Sequence, residues 1–131
     1  MASPERADRY ADPKLEAATA EFAAQLSRTA PWLNSLPLDR IERIVDGTSI
    51  AAQAHRIATR FLRLQLDLEP ASYPTSRVPD VPVVRPHAVG AQLSVVGTEL
   101  LKTARSVDSW CSELAEQLAE LARELVALRD R

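Results

Sequence analysis

The chain has 131 residues, 46% of them hydrophobic and 26% charged, with a formal net charge of −2. That composition is too apolar for disorder throughout and suits one globular domain. The 16 basic and 18 acidic residues give no global pull toward nucleic acid or an anionic membrane.

Three glycines against 21 alanines and 17 leucines favour helices over sandwiches and barrels. The single cysteine, Cys111, excludes an intramolecular disulfide and an all-cysteine metal site. No run of about 18 apolar residues is present, so no transmembrane helix is expected. Met1–Tyr10 has no apolar signal region, and the sequence reads as cytoplasmic. Arginine outnumbers lysine 14 to two, a bias that a GC-rich coding sequence accounts for.

Residues 1–11 are polar, with acids and arginines mixed, and are expected to form a disordered tail. Asp12-Pro13 opens a helix, with Asp12 as cap and Pro13 in the first turn, where no amide partner is needed. Leu15, Ala18, Phe22 and Leu26 share one face. Pro31 predicts the end of this helix near Thr29. Trp32, Leu33 and Leu36 follow and are expected to fold over the end of a bundle.

From Leu38 to Leu68 the pattern is helical, but its phase shifts at Asp46-Gly47-Thr48-Ser49. Gly47 suits a helix end, and Thr48 or Ser49 can cap the next start. Two helices are predicted, about 38–46 and 49–67. Residues 69–86 hold five prolines, which forbid helix and predict an extended linker. Val78, Val81, Val83 and Val84 alternate with the prolines as in a segment laid on the bundle surface.

The strongest pattern lies downstream of Pro86. Leu93, Leu100, Val107, Leu114, Leu121 and Leu128 recur every seven residues, with Gly97, Ala104, Cys111, Leu118 and Leu125 between them. This a/d repeat predicts one long helix over 87–129. Ser106–Ser109 is the one place where cap-forming residues could interrupt it. Leu114, Leu118, Leu121, Leu125 and Leu128 form a leucine seam, read as a self-association surface.

The chemistry-bearing residues are few. His55, His87 and Cys111 show no helical metal-ligand spacing, and Cys111 at a seam position reads as a small hydrophobe. Glu113, Glu116, Glu120 and Glu124 form an acidic stripe. Carboxylate–metal catalysis would need a second acidic pair on a facing helix. Arg56, Arg60 and Arg63 share a polar face, suited to an anion or acidic partner, or to the glutamate stripe itself.

Together these observations predict an all-α helical bundle with a long heptad-patterned C-terminal helix and a Pro-rich extended linker. The expected function is a non-enzymatic helical interaction or self-association module, whose partner is a second copy or another helical protein. No cofactor, metal or catalytic residue is assigned, and neither nucleic acid nor membrane is an expected partner. One alternative is a regulatory module binding nucleic acid or another polyanion through Arg56, Arg60 and Arg63. The other is a carboxylate–metal helical phosphohydrolase built on the glutamate stripe.

Overall fold

The computed structural model describes residues 13–69, 80–106 and 112–131. The expected tail, most of the Pro-rich linker, the suspected break after Ser106, and Cys111 lie outside the described residues. Those that are described are all-α, apart from one isolated bridge between Val45 and Thr48. The helices are α1 Pro13–Ser35, α2 Leu38–Glu42, α3 Ile50–Leu68, α4 Val89–Ser106 and α5 Ser112–Arg129. A short 3-10 turn at Pro86–Ala88 leads into α4.

α1 does not stop at Thr29; it runs through Pro31 to Ser35. Proline removes one hydrogen bond and strains the turn before it. The apolar face explains why the helix continues. Phe22, Leu26 and Leu33 all stay buried on it, and Trp32 and Leu36 pack partly buried against the core. Ending at Thr29 would take Leu33, 2% exposed, off that face.

The helix expected over 38–46 is shorter than predicted and closes at Glu42. Arg43 is extended, and Val45 and Thr48 exchange backbone hydrogen bonds of 3.0 and 3.2 Å around Asp46 and Gly47. Both turn residues have positive φ, 54° and 84°, the geometry of a tight type I′ turn. The phase shift therefore marks a reversal of the chain. Ser49 then caps α3, its side chain accepting from Ala52 N at 3.0 Å.

Contacts between helices fix their directions. Ala30 and Asn34, late in α1, lie against Gly90 at the start of α4, and Leu26 lies against Gly97. Lys14 pairs with Glu116 at 3.7 Å, while Arg129 at the end of α5 donates to Thr29 Oγ1 at 3.0 Å and Gln25 Oε1 at 2.6 Å. So α1 and α5 run parallel, and α4 runs antiparallel to both. Arg131 reaches Gln53, and Arg60 reaches Glu120 and Glu124, which sets α3 antiparallel to α5. α1 and α3 each pack against both α4 and α5. Phe22 and Phe61 meet edge to face across the centre, with ring centroids 5.0 Å apart.

The single helix expected over 87–129 is therefore corrected to two antiparallel helices. Gly90 and Arg129 both touch the second half of α1. One straight helix would hold them about 58 Å apart. Length supplies the reason. Two 18-residue helices match the 23 residues of α1 and the 19 of α3, whereas one long helix would overrun both.

α3 and α4 run in the same direction, with Thr103 late in α4 donating to Glu69 at the end of α3. Residues 80–85, outside any helix or strand, lead into the 3-10 turn before α4.

Candidate functional site

The five seam leucines are all in the core: Leu114, Leu118, Leu121, Leu125 and Leu128 are each at most 3% exposed. The covering surface comes from the chain's own α1 and α3. Their heptad positions identify the buried face of α5, and that face is occupied within the fold.

The three arginines of α3 separate. Arg60 sits between α3 and α5, hydrogen-bonded to Glu124 and 3.6 Å from Glu120. Glu124 is half-buried there. Burial raises its carboxyl above the ordinary carboxylate range, and the Arg60 charge opposes that rise. Its Oε2 is buried without a hydrogen-bond partner among the described residues. Arg63 lines a cavity of about 390 Å³ with Arg60, Asp67, Gln117 and Glu120. Arg56 points into a different groove beside Ser49 and His55. The expected anion face is thus divided between two places, and its central arginine is held by carboxylates of the same chain.

Three of the four stripe glutamates are also engaged. Glu116 pairs with Lys14, and Glu120 and Glu124 pair with Arg60. Among the described residues no group of His, Cys, Asp and Glu is arranged to hold a metal ion.

His55 has a structural contact. Its Nε2 lies 2.8 Å from Val81 O, tying α3 to the extended segment. Gln92 of α4 holds the same segment from the other side, donating to Pro82 O at 2.6 Å. Residues 80–85 therefore form a strap fastened to both helices. Polyproline-like backbone repeats every three residues, so Val81, at 4% exposure, and the half-buried Val84 face the bundle while Val83 between them stands out at 85%. Sequence reasoning placed a valine-bearing segment on the surface but did not identify which valine faces water. The anchor bonds from His55 and Gln92, which decide it, have no local sequence signal.

The strap divides the α3–α4 face into two grooves. On the α4 side, Leu62, Val81, Pro82, Ala91, Val95 and Val96 line a groove of about 460 Å³, in which Asp80 is the one charged lining residue among those described. Val95 beside it is 64% exposed. On the α3 side, Ala51, Ala52, Val83, Val84 and Val89 give an apolar lining to a groove of about 620 Å³, with Arg56 and His55 at its edge.

No protein-family model, curated protein or solved structure matches the chain. No described helix is long and apolar enough to cross a membrane.

Proposed function

We propose that this chain is a non-enzymatic helical interaction module that self-associates through the α4 side of its strap. The supporting observation is Val95, largely exposed beside an almost uncharged apolar groove of the same face. The central part of a protein interface is depleted of charge. A two-fold dimer requires one patch to complement itself, and this patch offers both a protruding side chain and a recess. Gln92 adds a buried, unpartnered acceptor among the described residues at the same groove. Dimerisation through the leucine seam would require the bundle to open, since those leucines already fill its core.

Sedimentation equilibrium from 1 to 100 µM tests the reading. A dimer is expected, with Val95→Asp monomeric at the same helix content by circular dichroism. A native monomer at 100 µM overturns the reading, as does a dimer that Val95→Asp leaves intact.

A further inference from the structure

We infer that the groove on the α3 side of the strap binds an acidic amphipathic segment of a different protein. This goes beyond the self-association reading and uses the opposite side of the strap.

The argument is one of charge complementarity over an apolar floor. Val83, Val84 and Val89 supply the floor, and Val83 leaves most of its surface in water. The charge beside that floor is of one sign. Arg56 lines the groove, no acid does, and Arg56 makes no ion pair among the described residues. Arg85 and His87, which flank the floor residue Pro86 in sequence, are both exposed. The first turn of α3 begins at this groove and contains no acidic residue. Its positive helix end adds to the same potential.

The arginine one turn along α3 shows the contrast. Arg60 meets two carboxylates of its own chain, whereas Arg56 meets none among the described residues. A second copy fits poorly, since pairing this groove with itself would oppose like charges. An amphipathic segment with apolar anchors at i and i+3 or i+4, and glutamates beside them, would place its anchors over Val83 and Val84 and its carboxylates at Arg56 and Arg85.

The test uses the full chain carrying Val95→Asp, so that self-association does not intrude. The probe is a fluorescent synthetic helical peptide with leucines at i, i+3 and i+7 and glutamates between, read by anisotropy. A matched peptide with lysines replacing the glutamates is the control. The glutamate peptide is expected to bind, to lose affinity about tenfold or more with Arg56→Glu, and to weaken as salt rises from 50 to 500 mM. Amide shifts should map to Ala52, Arg56 and Val84.

Equal binding of the lysine peptide, insensitivity to Arg56→Glu, no binding at 1 mM, or shifts confined to Ala91 and Val95 would each overturn the inference. So would tighter binding of a 20-residue single-stranded DNA, or a mass doubling of the native chain abolished by Arg56→Glu. The fate of the dimer is read separately by sedimentation, so either proposal can fail without the other.

Discussion

α4 and α5 share one heptad phase and bury the same heptad positions, yet those positions do different work. In α4 the alternating positions carry Gly90, Gly97 and Ala104, and at the two glycines α1 comes close enough that an added methyl would meet its atoms. In α5 every seam position carries leucine, and these leucines fill the core between α1 and α3. The difference teaches that heptad phase reports which face of a helix is buried. It does not report whether the helix is continuous or whose surface covers it. Five residues separate Ser106 from Ser112, and the repeat resumes in phase after the chain has reversed.

The largest expected effect breaks the α5 side of this comparison. Leu118 is fully buried within the chain. Leu118→Glu places a carboxylate in the core and should cost more than about 4 kcal/mol, enough to unfold a marginal domain. Leu118→Ala should cost about 2–5 kcal/mol. Thermal melts followed by circular dichroism check both. A Leu118→Glu variant that stays folded and merely becomes monomeric would move the seam from the core to an interface.

The α4 side breaks by crowding. An alanine Cβ at Gly90 would lie 2.8 Å from Ala30 O, a backbone atom, and 2.3 Å from Asn34 Oδ1. At Gly97 it would meet only side-chain atoms, Leu26 Cδ2 at 2.6 Å and Cδ1 at 2.8 Å. Both substitutions gain roughly 0.8–1 kcal/mol of helix propensity. Overpacking that forces backbone to move costs about 1–3 kcal/mol. Gly90→Ala should therefore be net destabilising, and Gly97→Ala less so, because side-chain atoms yield more readily than a backbone carbonyl. Urea unfolding midpoints at constant slope would measure the gap. The reverse order would mean that α1 is held against α4 more tightly at Leu26 than at Ala30.

Much of the fold was legible because burial writes a period into the sequence. Phe22 with Leu26, Ile57 with Phe61, and the α4 and α5 leucines all repeat at helical spacing and all are core residues. What was not legible depends on contacts distant in sequence. Pro31 is a local stop signal, overridden by the burial of Leu33. The reversal between α4 and α5 keeps the heptad phase, so no periodicity could expose it. Of the candidate site, the Arg60–glutamate pairing was among the outcomes weighed from sequence. The splitting of Arg56 from Arg60 was not, because the groove that Arg56 lines exists only once the strap is in place, whereas the cavity at Arg60 lies between α3 and α5.

The smallest effect concerns the outward faces of the same two helices. On α4, Glu99 pairs at 3.4 Å with Lys102 of its own helix, and both are exposed. On α5, Glu124 instead reaches across to Arg60 of α3 and is half-buried in doing so. Burial raises its carboxyl above the ordinary value of 4.5, with Arg60 acting in the opposite direction. The sign follows from linkage. A carboxyl whose folded pKa exceeds its unfolded one stabilises the fold below the unfolded value, and that contribution is lost as pH rises through the folded value. Glu124→Gln cannot ionise and loses nothing over that range. The stability of Glu124→Gln relative to the native chain should therefore rise between about pH 4.5 and pH 7, the reverse of the trend for a carboxylate stabilised by its ion pair. Partial exposure keeps the change small, so melting temperatures should be compared at each pH against Lys102→Gln as a surface control. A native chain that instead gains on Glu124→Gln across this range would show that the Arg60 charge outweighs burial at this contact.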